Sequence, residues 1–256
     1  MKANDTVFCI PSYKRFERQD TLSLLLSLGV DISDIYLFVQ TEEDRELYMR
    51  YVGNCNLIYA AADSLPKTRN NILNAISKEK NVVMLDDDIS AIQTGAKGRK
   101  LQTINSQEQF FEVINRMYDL TKALGGKMWG FYPICDSFFM SDTLDTKKPV
   151  NTILGFPKGF DLRFDEKFIA KEDIELCGRI LGSGGSIIRC NNIGFKAKHR
   201  TNKGGANDIW KSGVNKKFAS LLNFMYPDVY EVRRDNAEEV RAIIKTKRME
   251  FQKWKV

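Results

Sequence analysis

Short apolar runs alternate with segments of helical periodicity over the first part of the chain. A continuous apolar run that is bounded by polar residues, proline or glycine predicts a strand buried on both faces of a sheet. Four such runs are residues 6–12, 34–40, 56–61 and 81–88. Between them, apolar residues recur at the spacing of one helix face. These helical segments are residues 18–30 and 41–53, and residues 65–80 predict a loop that leads into a helix. Strands that alternate with helices in this way predict an α/β domain with a mostly parallel sheet.

The rest of the chain is less regular. Residues 93–100 contain two glycines and predict a loop, whereas residues 105–125 predict a helix with Gly125 at its end. Further strands are predicted at 150–159, 186–192 and 192–200, with a turn and a helix within 164–185. No repeat or low-complexity segment divides the sequence. One domain with a helical C-terminal extension is therefore the simplest expectation.

Composition narrows the class of protein. The chain has 256 residues, of which 43% are hydrophobic and 28% charged, as is ordinary for a soluble globular protein. Its apolar runs are too short to cross a bilayer, and its N-terminus has no signal-peptide core, so we expect a cytoplasmic protein without a membrane partner. The five cysteines are scattered and form no CxxC pair, which argues against a zinc site and a disulfide framework.

The charge is distributed unevenly. Residues 189–256 carry 16 Lys and Arg against 7 Asp and Glu, a net charge of +9, although the whole chain has a net charge of only +6. This basic excess indicates either a solvated surface or a surface that binds a polyanion such as nucleic acid. Composition alone leaves both open.

Three consecutive carboxylates follow the apolar run VVML and give the clearest indication of chemistry. If the strand continues through them, Asp86 and Asp88 point to the same side. Paired carboxylates suit a hard divalent cation, and ligands of parallel sheets bind at the carboxyl ends of the strands. A solvated acidic turn is the alternative. We favour the metal site because the topology independently places a ligand there.

The other candidate functional residues give weaker evidence when each is taken alone. His199 is the only histidine, and a neutral imidazole ligates manganese well, although a single histidine is commonly an ordinary surface or core residue. Glu172 and Asp173 begin a predicted helix, where acids favour the helix dipole and where one could also act as a general base. Lys67 and Arg69 lie before the N-terminus of a predicted helix and could bind phosphate or simply be exposed.

Taken in order, these motifs resemble the GT-A glycosyltransferases, which are nucleotide-sugar-dependent enzymes with a Rossmann-like sheet. The resemblance covers residues 6 to about 205. It depends on a strand that ends in IPSYKR, an RN pair, a DxD-type motif, an ED pair at a helix start and a late histidine. A closer resemblance is to the TET-associated glycosyltransferases of bacteriophages. That resemblance depends on the segments LPKTRNNI, VVMLDDDISAI, GKMWGFYP, FFM and KEDIELCGRI.

The resemblance implies a GT-A domain over residues 1–205, with a basic helical extension over 206–256 packed on it as one structural unit. It also implies a role for each motif. Implied metal ligands, for Mn²⁺ or Mg²⁺, are Asp88, His199 and Asp86. Implied contacts of the nucleotide-sugar, expected to be a UDP-sugar, are Pro11, Ser12, Tyr13, Arg15, Arg69, Asn70, Asp86, Asp87, Trp129 and Gly130. Asp173, with Glu172 beside it, would accept the proton of the acceptor hydroxyl in an inverting displacement.

The same resemblance implies an acceptor. TET-associated glycosyltransferases are linked to sugar addition onto hydroxymethylated pyrimidines such as 5-hydroxymethylcytosine in phage DNA, which would place the protein in the cytoplasm of an infected bacterial host. Enzymes that act on a base commonly flip it out of the duplex. The predicted DNA contacts are Lys196, Lys198, Arg200, Lys203, Trp210, Lys211, Lys216 and Lys217. Phe138, Phe139 or Trp210 could stack on a base.

Three alternatives remain at this point. A glycosyltransferase of the same fold could act on a polysaccharide, a lipid carrier or a protein. A metal-dependent nuclease or nucleotidyltransferase would use the three aspartates but would leave the RN and ED pairs unexplained. A DNA-binding module would explain the basic C-terminal segment but not the carboxylates or His199. The sugar, the anomeric outcome and the oligomeric state are not readable from the sequence.

Overall fold

The computed structural model describes residues 5–53, 55–197, 213–244 and 249–250. The helices of this part are α1 (Asp20–Ser27), α2 (Glu42–Tyr48), α3 (Leu65–Ile76), α4 (Gln107–Ala123), α5 (Glu172–Gly182) and α6 (Val214–Met225), with a short 3-10 helix at Ile32–Asp34. The first strands are β1 (Thr6–Ser12), β2 (Ile35–Val39), β3 (Asn56–Tyr59), β4 (Asn81–Leu85), β5 (Ile89–Thr94), β6 (Gln102–Thr103) and β7 (Met128–Tyr132). The later strands are β8 (Thr143–Asp145), β9 (Ile153–Phe156), β10 (Ile187–Ala197), β11 (Tyr230–Val232), β12 (Val240–Ala242) and β13 (Met249–Glu250).

The central sheet has the order β13-β8-β10-β7-β9-β4-β1-β2-β3, with β5 and β6 attached through β10. Strands β3, β2, β1 and β4 are parallel. Strand β9 lies antiparallel between β4 and β7, so that β7 and its parallel neighbour β10 run in the same direction as β4. Helices flank the sheet, which confirms the α/β prediction.

Burial explains why these runs form strands. Every residue of β1 is buried, as expected for a strand covered on both faces. One face packs under α1 and α4, where the Phe8 and Phe110 rings lie 5.6 Å apart. The other face packs under α3, α5 and α6, with Phe156 and Phe168 in its core. Within the described ranges, no helix is both long and apolar enough to cross a membrane.

Two predicted boundaries differ from the structure. Strand β4 ends at Leu85, so residues 86–88 form a turn rather than the end of a strand. The alternation that would group Asp86 with Asp88 therefore does not apply. Strand β10 is one element where two were predicted, and the two parts are joined through a register shift between Cys190 and Gly194. The predicted loop at 93–100 also begins as β5, which pairs with β10.

The C-terminal segment is more than a helical extension. Its described part contains α6, the hairpin of β11 and β12, and β13, which pairs with β8 of the central sheet. Aromatic and β-branched residues such as Tyr230 and Val232 favour strands there. The Tyr230 hydroxyl donates to the Ile174 carbonyl at 2.9 Å, and Lys171 forms an ion pair with Glu239 at 3.0 Å. The segment is thus attached to the start of α5.

Candidate functional site

A polar turn between β4 and β5 lies at the carboxyl edge of the sheet. Its backbone is held from two sides. The Asp86 N–H donates to the Thr152 carbonyl at 3.0 Å, and the Thr21 hydroxyl donates to the Asp86 carbonyl at 2.5 Å. The same hydroxyl accepts the Ile89 N–H at 2.9 Å. Thr152 has a left-handed backbone with φ of 61°. Such strained residues collect at functional sites.

Asp87 faces the end of β1. The Ser12 hydroxyl donates to Asp87 Oδ2 at 2.5 Å, and Arg15 Nη1 forms an ion pair with Asp87 and lies 3.4 Å from Asp88 Oδ2. Tyr48 supports both partners, because its hydroxyl lies 2.7 Å from Ser12 Oγ and accepts the Arg15 N–H at 2.9 Å. Burial raises the pKa of Asp87 to about 6, and Arg15 opposes the shift. The motif is therefore bonded to the IPSYKR segment at the end of β1.

Arg69 is buried beneath the turn and connects two acidic motifs. Its Nη2 donates to Asp86 Oδ1 at 2.7 Å, and its Nη1 lies 3.0 Å from Glu172 Oε1. Only 2% of its surface is exposed, and its guanidinium lies 5.4 Å from the centre of the Phe164 ring. Burial alone would lower the pKa of Arg69, but the nearby charges of Glu172, Asp86 and Asp173 raise it well above its ordinary value. Arg69 is thus an internal cation rather than an exposed arginine, and its contact with the donor stays a prediction.

The ED pair contains two carboxylates in different environments. Glu172 is buried against Arg69, and burial raises its pKa to about 7. Asp173 is partly exposed, its Oδ1 accepts the Ile174 N–H at 2.8 Å, and burial raises its pKa while Arg69 opposes the shift. Lys171, which precedes the pair, has a left-handed backbone conformation with φ of 60°. Of the two, Asp173 is the one that an acceptor could reach, and Glu172 positions Arg69.

Comparison with known proteins decides the family. The family model described as TET-Associated Glycosyltransferase matches residues 6–205, which is most of the chain. The chain belongs to this family. It is therefore a glycosyltransferase, and membership implies a nucleotide-sugar donor. No curated protein matches the chain significantly. A solved CMP-2-keto-3-deoxy-manno-octonic acid synthetase in complex with CTP is 9% identical, with a TM-score of 0.46, and the match covers 85% of this chain and 100% of that one.

Asn70, the second residue of the RN pair in this TET-associated glycosyltransferase, holds a loop in place. Its Nδ2 donates to the Phe164 carbonyl at 3.0 Å, and its Oδ1 accepts the Phe164 N–H at 2.8 Å. It is buried, and its contact with the nucleotide-sugar stays a prediction. Both atoms of its amide are already used by the backbone. The RN pair thus supports the site from beneath.

Trp129 and Gly130 are core residues and do not line a sugar pocket. Trp129 has 0% exposure and packs edge-on against Tyr118, with ring centres 5.3 Å apart. A Cβ at Gly155 would lie 1.8 Å from Trp129, and one at Gly130 would lie 2.6 Å from Val150. Tight packing between β7 and its neighbours explains the glycines. The aromatic run was misread because burial cannot be told from its sequence.

Three further residues at this edge were missed from the sequence. Thr21 and Tyr48 lie on the apolar faces of two predicted helices. A polar side chain at such a position was the only sign in the sequence that either residue belongs to the site. Asp44, in the first turn of α2, is buried, and its Oδ2 accepts no hydrogen bond in the part of the chain that is described. Burial raises its pKa, and Lys14 opposes the shift. These side chains continue the polar edge beyond the motifs.

The other predicted donor contacts and the metal ligands remain predictions. Pro11 is buried within β1, whereas Tyr13 is partly exposed at its end, with Lys14 Nζ 4.8 Å from the centre of the Tyr13 ring. Among the described residues, no three acidic, cysteine or histidine side chains form a group that could hold a metal ion. His199 lies outside the described residues. Strand β10 nevertheless ends at Ala197, which pairs with Ile89 directly after the turn.

The predicted DNA contacts divide into two sets. Those in described segments are exposed, namely Lys196 at the end of β10, and Lys216 and Lys217 on α6. Those that lie outside the described residues are Lys198, Arg200, Lys203, Trp210 and Lys211. No contact of either set with DNA follows from this placement alone.

Proposed function

We propose that this glycosyltransferase moves a sugar from a UDP-sugar to the hydroxymethyl group of 5-hydroxymethylcytosine in DNA, by an inverting and metal-dependent reaction. One observation carries the proposal. Arg69 joins Asp86 of the DxD-type turn to Glu172 of the ED pair, which places the partly exposed Asp173 beside the turn. A candidate donor group and a candidate base thus share one edge of the sheet.

The exposure of the Asp86 side chain supports its proposed contact with the sugar donor. Asp86 retains 30% side-chain exposure, whereas Asp87 and Asp88 are turned towards Arg15 and are buried. Asp86 is thus the carboxylate of the turn best placed to accept hydrogen bonds from sugar or ribose hydroxyls. Tyr13, at the end of β1, is partly exposed and would contact the nucleotide.

Mn²⁺ or Mg²⁺ would be held by Asp88, Asp86 and His199. The chemistry of the donor set fits, because hard cations prefer carboxylate oxygens and a neutral imidazole suits manganese. Such an ion would supply positive charge for the diphosphate of the departing nucleotide. The end of β10 beside Ile89 supports His199 as the third ligand, since His199 follows Ala197 by two residues.

Asp173 would act on the acceptor. The hydroxymethyl oxygen attacks the anomeric carbon, the bond from that carbon to the diphosphate oxygen breaks, and the hydroxyl proton passes to the Asp173 carboxylate. The products are the glycosylated base and UDP. A carboxylate with a raised pKa is a better base than an ordinary aspartate, and general-base catalysis is typically worth about 10²- to 10⁴-fold in rate. Exposed Lys196, Lys216 and Lys217 would hold the phosphate backbone.

Mass analysis of nucleosides tests this proposal. The purified protein is incubated with Mn²⁺, a panel of nucleotide-sugars and either plain DNA or DNA that contains 5-hydroxymethylcytosine. A sugar-sized mass gain on the modified base alone is the expected result. UDP release without a mass gain on either DNA would support glycosyl transfer but exclude 5-hydroxymethylcytosine as the acceptor. The acceptor would then be a polysaccharide, a lipid carrier or a protein. DNA cleavage with Mn²⁺ and no use of any donor would instead indicate a nuclease.

A further inference from the structure

A loop between β7 and β8 exposes two neighbouring aromatic rings. Phe138 is 65% exposed and Phe139 is 56% exposed, and Ile134 in the same loop is 51% exposed. Single exposed apolar residues are ordinary, but contiguous ones indicate a binding surface. The two rings are perpendicular, with centres 5.0 Å apart. Both rings are thus accessible to a ligand from solvent.

Hydrogen bonds fix this loop, so the exposure is built into the fold. Asp136 forms a turn in which its Oδ1 accepts the Phe138 N–H at 2.9 Å and its carbonyl accepts the N–H groups of Phe139 and Met140 at 3.1 Å. The Lys97 N–H in turn donates to the Met140 carbonyl at 3.0 Å. Two separate loops therefore support the rings.

Cations surround the rings. The Nζ of Lys97 lies 5.3 Å from the centre of the Phe138 ring, within the range of a cation–π contact. Lys97, Arg99 and Lys100 are all exposed, and Arg99 pairs with Asp142. An aromatic face beside positive charge matches the two parts of a nucleotide, because bases stack on aromatic rings and phosphates pair with cations. A purely apolar protein partner would not need the cations.

The loop lies at the same edge of the sheet as the carboxylates. Strand β7 runs in the direction of β4, and β9 alone separates them, with Gly130 and Met84 both opposite Leu154. Two strand spacings put the ends of β4 and β7 about 10 Å apart. The loop after β7 therefore begins beside the turn that follows β4.

We propose that Phe138, Phe139 and Lys97, here called the aromatic platform, bind an unpaired base of the acceptor DNA next to the target nucleotide, with one ring stacked on the base and the perpendicular ring against its edge. The inference rests on the proposed function, since it needs a DNA acceptor. Once the target base has left the duplex, its neighbours lose a stacking partner, and the platform supplies one. Lys97 then lies near the adjoining phosphate.

The test uses the full chain, a fluorescein-labelled single-stranded oligonucleotide and a labelled duplex with one 5-hydroxymethylcytosine. The double variant Phe138→Ala/Phe139→Ala is compared with Phe224→Ala, which removes a phenylalanine that is 80% exposed on α6. Because each stacked base is worth about 5- to 150-fold in affinity, the double variant should bind the single strand at least about fivefold more weakly. The control should bind as the wild type does. The slope of log affinity against log salt should be unchanged in the double variant and shallower in Lys97→Ala.

Sugar transfer separates this proposal from the broader one. The double variant should need at least about fivefold more DNA for half-maximal transfer, while UDP release in the absence of DNA stays the same. Equal binding and equal transfer by wild type and double variant would overturn the platform and leave the function intact. A wild type that releases UDP but neither binds nor modifies DNA would overturn the DNA acceptor and the platform together. Absence of UDP release with every donor would also refute the glycosyl transfer.

Discussion

Replacing Arg69 by methionine removes a buried cation and leaves two carboxylates behind. Arg69 lies 2.7 Å from Asp86 and 3.0 Å from Glu172, and is almost wholly buried. Removing one partner of a buried ion pair costs about 3–5 kcal/mol in the free energy of unfolding, because the remaining charge is desolvated without compensation. Methionine keeps much of the side-chain volume, so a cavity adds little. We expect a loss within that range near pH 8.

The loss should depend on pH in a defined direction. Burial raises the pKa of Glu172 from 4.5 to about 7 in the folded protein, even with Arg69 opposing. A carboxyl group whose pKa is raised by folding makes stability fall as pH rises from the unfolded towards the folded pKa. Without Arg69 the folded pKa rises further, and each additional unit costs about 1.4 kcal/mol once the pH exceeds it. Arg69→Met should therefore lose more stability at about pH 8 than at about pH 6.

Urea unfolding at the two pH values measures this difference. The control is Arg18→Met, which breaks an exposed pair with Asp20 and should cost under about 1 kcal/mol at either pH. The double variant Arg69→Met/Glu172→Gln should recover much of the loss, because the stranded charge is gone. A loss under about 1 kcal/mol for Arg69→Met, or an equal loss at both pH values, would refute the assignment of Arg69 as an internal cation.

Three further outcomes follow from the site. Asp173→Asn should lower the rate of sugar transfer by about 10²- to 10⁴-fold with little change in donor KM. Glu172→Gln should lower the same rate by less than about tenfold. Initial rates of UDP release measure both effects. Trp129→Ala should cost about 3–5 kcal/mol in urea unfolding, and an unchanged stability would contradict its place in the core. Asn70→Ala should cost about 1–3 kcal/mol, because both Phe164 backbone groups lose their partner; a change in donor KM without loss of stability would instead support the predicted sugar contact.

The sheet was predictable because its strands are defined locally. Runs such as 6–12 and 81–85 are apolar throughout, and burial on both faces is what such runs need. Their order along the chain places the DxD-type turn, the end of β1 and the start of α5 near one edge. The family resemblance, confirmed by the match over residues 6–205, depends on that order.

Side-chain pairing could not be predicted in the same way. Three adjacent aspartates look equivalent in sequence, yet the turn directs Asp86 to Arg69 and Asp87 to Arg15. Whether an arginine meets a ligand or an internal carboxylate depends on contacts between distant segments. Trp129 is a second example. Its aromatic neighbours in the sequence are compatible with a pocket or with a core, and the pairing of β7 with β9 shows that Trp129 lies in the core.

The proposed reaction requires a nucleotide diphosphate to bind at the turn of residues 86–88 together with a divalent cation. Calorimetric titration of UDP into the protein, with and without Mn²⁺, tests it most directly in the wild type and in Asp88→Asn. We expect binding that requires Mn²⁺ and that weakens at least about tenfold in Asp88→Asn, while Lys217→Ala on α6 binds UDP as the wild type does. Equal UDP affinity in wild type and Asp88→Asn, or binding that ignores Mn²⁺, would contradict it.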